Sequence, residues 1–527
     1  MRRVLVLPVA LGLLACGPSV SKSPTGDGPG SGSATLDAFE GPFADFPDGP
    51  IIEPGSPPGV PGLFGDPSSG AATGGPCLVE PEVGTLYPRN WLRPRFSWVA
   101  TGSENLFELR LTAPNQAAPL VVYTTQTSWT MPATIWTALA QHTIDLPITV
   151  SIRGATSDGT TLTSGPERGS SGDIAIAPAE APGAIVYWTT SGGTGLRGFR
   201  IGDETVRDIV RPVDASTACV GCHSSTPDGA YVGFSASAVA GNGDPATLGI
   251  LSADGAKTVP PFITPTAQGL MARQGQEQPV FSRLHWQAGD RTAVTMFAVG
   301  ARFEMIWTDL ETSDATQGVG WGVIGRTGET NAAAYASFAH VNDTLLYVSA
   351  PAVASGVTTT SGDLATVPYT ARAGGTPTPI TGAATPEHNE YYPTFSPDDA
   401  YVAYNRVPDG QSSYNNSAAE VFAIPTGGGT PVRLRANDPP ACSGRTSPGV
   451  TNSWPKWAPG LTDQTGKRYY WLTFSSTRGT GGNPQLYVTP VIDDGQTLTT
   501  FPALYLWNQP APENNHTPAW DNFAIIQ

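Results

Sequence analysis

Charged side chains are scarce in this chain: Asp, Glu, Lys and Arg make up 14% of it, against about 25% in an ordinary globular domain. Its 28 basic residues face 44 acidic ones, a formal net charge of −16, and no basic cluster stands anywhere along the 527 residues. Nothing here neutralises a phosphate backbone, which excludes nucleic acid as a partner. Long apolar runs are missing too. The N-terminal run, Val4 to Leu14, is far short of the roughly 20 residues that a spanning helix needs. Cysteine (5) and histidine (6) are few, so thiol or metal chemistry has to be read from a handful of positions. No Gly-x-Ser-x-Gly elbow and no His-Glu-x-x-His pair occurs, which leaves a hydrolase without its usual signatures.

What is abundant is Gly (61) and Pro (51). A turn-rich, weakly charged chain of this length points to all-β structure with many loops. At the N-terminus, Arg2 and Arg3 precede the short apolar run, which reads as a signal peptide over residues 1–15. Its end, Leu13-Leu14-Ala15-Cys16, resembles the lipobox of bacterial lipoproteins. That resemblance implies acylation of Cys16 and attachment of the protein to a membrane of the cell envelope through the lipid. The Gly/Pro/Ser-rich stretch 16–76 has few apolar side chains to offset the entropy of ordering it and reads as a disordered tether.

From Cys77 to residue 180 the short alternating runs "RPRFSWVA", "NLFELRLTA", "PLVVYTT" and "LPITVSIRG" are separated by Gly, Pro and Asn. They predict an immunoglobulin or fibronectin-like β-sandwich, and "PEVGTLYPRNWLRPRFSW" resembles the opening of bacterial fibronectin-like modules. Trp91, Trp98 and Trp129 read as packing residues of that sandwich.

From residue 184 to 527 a repeat takes over. "YYPTFSPDDAYVAYNR" is its clearest copy, and "TPDGAYVGF", "WQAGDRTAVTMF", "HVNDTLLYV" and "WAPGLTDQTGKRYYWLTF" stand in the same place of other copies. The spacing fits one four-stranded propeller blade per copy. The final "HTPAWDNFAIIQ" begins a copy that it cannot complete, while Ala184 to Val210 supplies later strands without a first. Joining the two removes exposed strand edges and closes a six-bladed ring. The Pro-x-Trp/Phe-(Ser/Ala)-Pro-Asp-(Gly/Asp) grammar resembles TolB-like propellers, which implies an interaction platform of the cell envelope. Each Pro-Asp-Gly element reads as a tight turn without a catalytic role.

One copy departs from that grammar. Cys219-x-x-Cys222-His223 has the spacing of a c-type haem site, with two thiols for the vinyl groups and His223 as the proximal iron ligand. In a chain this poor in Cys and His the pentapeptide is expected by chance on the order of once in two thousand. A Cys219–Cys222 disulfide, a partial metal site and a fortuitous match within a repeat are the competing readings. The disulfide explains neither His223 nor the tight spacing, and zinc would want a fourth ligand and usually a second Cys pair. TolB-like proteins carry no haem, so the resemblance stops at this motif. For the sixth position His516 is the first candidate, ahead of His388 and Met271. Setting aside Cys16 and the haem pair leaves Cys77 and Cys442 for one disulfide. The sequence thus predicts a lipid-anchored envelope propeller with one covalent haem c, working in electron transfer or redox sensing with an envelope or redox partner. Its alternative is a TolB-like interaction scaffold with no cofactor.

Overall fold

The computed structural model describes residues 41–238, 246–354, 358–479 and 481–525. Cys16 and the leader lie outside the described residues. Among those described, no helix is long and apolar enough to cross a membrane.

The architecture is all-β: a sandwich followed by a six-bladed propeller. The sandwich packs a six-stranded sheet, ordered Ile51–Ile52, Leu120–Thr124, Leu106–Thr112, Ile148–Ser157, Leu162–Ile176 and Leu86–Tyr87, on a three-stranded one built from Cys77–Glu80, Arg95–Val99 and Ser128–Thr130. Trp91, Trp98 and Trp129 are all buried in its core. "ATIWTALAQH" forms a helix, Ala133–His142, that lays Ile135, Trp136 and Leu139 on that core.

The N-terminal stretch differs from expectation. Residues 41–76 are not a tether: Ile51–Ile52 pairs in parallel with Val122–Tyr123, and Phe46, Val60 and Phe64 are buried. A few well-spaced apolar side chains suffice here because a charged anchor assists them. Arg153, buried in the sandwich, pairs with Glu108 at 2.7 Å and donates to the carbonyl of Asp66 at 2.8 Å. Its guanidinium also covers the Phe64 ring.

Six sheets form the propeller. Their inner strands are β1 (Cys219–Ser225), β2 (Glu277–Val280), β3 (Ala332–Phe338), β4 (His388–Phe395), β5 (Asn452–Trp457) and β6 (Asn515–Asp521). The ring closes as the repeat predicts. β6 pairs antiparallel with Ala184–Thr189, completing the sheet that continues through Gly195–Arg200 and Arg207–Val210. At the seam the turn after β1 approaches the chain so closely that a Cβ on Gly229, itself at φ +73°, would lie 1.8 Å from the Asn522 carbonyl oxygen. Only glycine fits there. The Pro-Asp turns also join blades: Asp228 accepts the Trp286 indole N–H at 2.9 Å, and Asp398 accepts the Tyr470 hydroxyl at 2.7 Å.

Sandwich and propeller share one hydrophobic cluster, in which Leu92 and Ile176 meet Tyr187, Phe199, Trp471 and Leu486. Three indoles of the propeller donate across the junction: Trp471 to Glu180, Trp520 to Pro182 and Trp507 to Arg93, at 3.1, 2.7 and 2.8 Å. Cys77 and Cys442 form a disulfide between the two regions.

Candidate cofactor site in the propeller channel

Every inner strand bends at the same place. The pairing of β1 with its neighbour slips between Val220 and His223, and β2 to β6 slip between Glu277 and Val280, Ala334 and Ser337, Tyr391 and Thr394, Ser453 and Lys456, and His516 and Ala519. This is one extra residue on the inner strand, a bulge that re-aims side chains. At its first position Gln278, Tyr335, Tyr392, Trp454 and Thr517 all take positive φ, a costly backbone for such side chains. The second position holds Pro279, Ala336, Pro393, Pro455 and Pro518, and the third Val280, Ser337, Thr394, Lys456 and Ala519. In β1 the three places fall to Gly221, Cys222 and His223. The motif therefore sits on the bulge itself, with a thiol where four of the other five blades carry proline.

The re-aimed aromatic side chains pack together. Tyr335 meets Tyr392 edge-on with ring centroids 4.4 Å apart, and Tyr392 stacks on Trp454 at 3.5 Å. Trp454 lines two cavities. One, of about 180 Å³, is bounded by Cys222, His223, Lys456 and the later halves of the inner strands. The other, of about 200 Å³, is a polar mouth with Ser453, Asn514 and His516.

His223 is 8% exposed, and its Nε2 lies 3.0 Å from the carbonyl oxygen of Val186 in the closing blade. Its buried Nδ1 makes no hydrogen bond of normal geometry among the described residues. Burial lowers the ring's pKa to about 4, against the pull of the Val186 and Gly221 backbone, so the imidazole is neutral. Cys222 faces the channel cavity, where burial, and then the nearby Glu277, push its thiol up to about 12. Cys219 precedes the bulge, half-buried and outside that cavity. Both are free thiols.

The three sixth-ligand candidates separate. His516, 8% exposed, packs edge-on to Trp188 at 4.7 Å, with Nδ1 3.0 Å from the Thr517 hydroxyl. Its pKa is lowered to about 4 by burial and, second, by His223, which places the two imidazoles within electrostatic reach. His388 opens β4, bonds Thr385 at 3.1 Å and lines neither channel cavity. Met271 is a correction. Named above as a sixth-ligand candidate, it ends a helix, Pro265–Met271, that Thr264 caps, and its side chain is buried in one cluster with Ile263, Ala267 and Trp286, lining neither channel cavity. The loop's apolar Leu270 and Met271 are what draw it into the core.

As a donor set for a c-type haem, two unpaired thiols and a neutral imidazole with an unsatisfied buried nitrogen are suitable in kind. The pose is not that of a ligand, because Nε2 is engaged by Val186. Among the described residues no three His, Cys, Asp or Glu side chains gather as a metal site. The repeat grammar revealed the channel strands but not Lys456, a lone lysine in "SWPKWAP" whose enclosure arises only when the ring closes. Lys456 is half-buried by surface area because the cavity reaches it, yet protein encloses it, and that burial lowers its pKa to about 8.

No protein-family model matches the chain, and no curated protein matches it. Among solved structures, it is similar to a nidogen/laminin complex with 9% identity over 64% of this chain and 98% of that one, at a TM-score of 0.36. A hydrazine synthase of Kuenenia stuttgartiensis is 11% identical over 62% of this chain and 73% of its own, with a TM-score of 0.29. A puromycin hydrolase is 11% identical over 78% and 58%, with a TM-score of 0.30. The propeller assignment rests on the strand pairing above.

Proposed function

We propose that the protein is a lipid-anchored propeller of the cell envelope that carries one c-type haem on Cys219, Cys222 and His223 and works in electron transfer or redox sensing. One observation carries this reading: the bulge of a single inner strand of six bears a free thiol and a neutral, incompletely bonded imidazole, with a second free thiol just before it. The thiols would hold the group covalently and His223 would ligate iron, giving up its bond to Val186. His516, the candidate that interacts electrostatically with His223, would be the other protein ligand. The haem would supply the redox chemistry, while the chain fixes its surroundings.

The test is expression with export and haem c maturation. The expected product is red, keeps its haem after denaturation, and loses covalent attachment in Cys219→Ala or Cys222→Ala. A colourless product of apo mass under those conditions overturns the reading. Cys16→Ser is expected to leave the membrane fraction, since the acyl chains are the strong attachment the sequence offers.

The bond from His223 to Val186 favours a second reading, a cofactor-free interaction scaffold. There the imidazole would simply join the first blade to the closing blade, and the apo protein would bind envelope partners through its channel face.

A further inference from the structure

Lys456 is out of place in its own repeat. At the third bulge position the other blades carry His223, Val280, Ser337, Thr394 and Ala519, so the propeller architecture requires no cation there. The structure gives its ammonium no hydrogen bond and no ion pair among the described residues; its electrostatic neighbours are Cys222 and His223, a thiol and a neutral imidazole that supply no counter-charge. A charge that the protein largely surrounds and leaves unpaired is unfavourable unless something that enters the cavity pairs with it. Among the described residues, the one carboxylate lining the same cavity, Asp521, interacts instead with His340 and Arg283. The walls of the cavity carry Phe281, Phe338, Phe395 and Trp457 alongside polar groups. In such surroundings an opposite charge is held far more strongly than in water. The free volume is about 180 Å³, and the exposed Arg283 is among the residues that line it.

We propose that this cavity binds a carboxylate carried on a flat apolar body, with Lys456 as its counter-ion and the aromatic walls as its seat. Two sources share that chemistry: a small free aromatic acid, or a propionate of the haem proposed above. The binding chemistry goes beyond that functional reading and does not depend on it.

Benzoate is the probe, with benzamide as its uncharged counterpart, titrated by calorimetry into haem-free protein made without maturation machinery. Benzoate is expected to bind saturably and benzamide about tenfold more weakly or worse, as the loss of a charged hydrogen bond requires. Lys456→Met is expected to weaken benzoate by a similar factor and leave benzamide unchanged. Lys456→Gln serves if the methionine variant does not fold. Equal benzoate affinity in wild type and variant, or no saturable binding at millimolar benzoate, overturns the proposal. A second arm repeats the titration on haem-loaded protein: exclusion of benzoate assigns the carboxylate to the haem, and continued binding assigns it to a free ligand. If no haem can be attached, the functional reading fails while the haem-free titration still decides this one.

Discussion

Tyr392 and Trp454, from neighbouring inner strands, lie face to face with ring centroids 3.5 Å apart and planes 13° from parallel. Both occupy the positive-φ position of their bulges, so the strain of that backbone places the two rings in contact. Trp454 borders both channel cavities. Trp454→Ala is expected to merge them and to lower stability by less than the about 3–5 kcal/mol of a fully buried tryptophan, because Trp454 is half-buried. Denaturant unfolding measures the cost, and faster alkylation of Cys222 in haem-free protein, followed by mass spectrometry, measures the opening. An unchanged alkylation rate would mean that the aromatic contact does not separate the cavities.

The Cys77–Cys442 bond spans 365 residues of sequence. Cross-links over long loops restrict the unfolded chain most, and removing one typically costs about 2–5 kcal/mol. Cys442→Ser is therefore expected to lower the thermal midpoint. Reductant should lower the wild-type midpoint likewise and leave the variant unaffected.

Arg153 and Glu108 are both buried and bonded to each other, and Glu108 also accepts the Tyr123 hydroxyl at 2.7 Å. Removing one partner strands the other charge, at a cost of about 3–5 kcal/mol. Arg153→Met should go further and release the segment it anchors through the Asp66 carbonyl. Limited proteolysis is expected to cut the variant between residues 60 and 76 well before the wild type.

His223 and His516 are held neutral, each lowered to about 4 by burial, whereas in the unfolded chain both would protonate near pH 6.5. Between those values the unfolded state binds more protons. The contribution of these rings is thus intact above about pH 6.5 and is lost as the pH falls towards 4. Glu80 and Glu390, raised to about 7 by burial, act with the opposite sign: their contribution is intact below about 4.5 and lost as the pH rises through 7. A haem-free His223→Asn/His516→Asn double variant isolates the imidazoles. Its thermal midpoint should fall less steeply from pH 6.5 to 4 than the wild type's; equal slopes would place the acid sensitivity elsewhere.

Ring closure was legible because "HTPAWDNF" starts a copy and the segment from Ala184 finishes one. That is a covalent fact about repeats, independent of packing. The X-Pro pairs at 278–279, 392–393, 454–455 and 517–518 carried the bulges in plain view, although their positive φ becomes visible only in three dimensions. Other features depend on long-range burial. Phe46, Val60 and Phe64 hide in a Gly/Pro-rich stretch whose average composition reads as disorder. Met271 reads as a candidate ligand because one thioether in sequence says nothing about which way a short helix turns it. Lys456 had no local signal of any kind, since its isolation is made by five other blades.

The shared core of sandwich and propeller makes the two inseparable as working parts. A fragment beginning at Ala184 would hold every blade strand, yet it would present Tyr187, Phe199, Trp471 and Leu486 to water, together with three indole N–H groups stripped of the carbonyls they donate to. Such a contiguous oily face is an invitation to self-association. Any transplant of the channel into another protein must therefore carry the sandwich with it as a fitted lid.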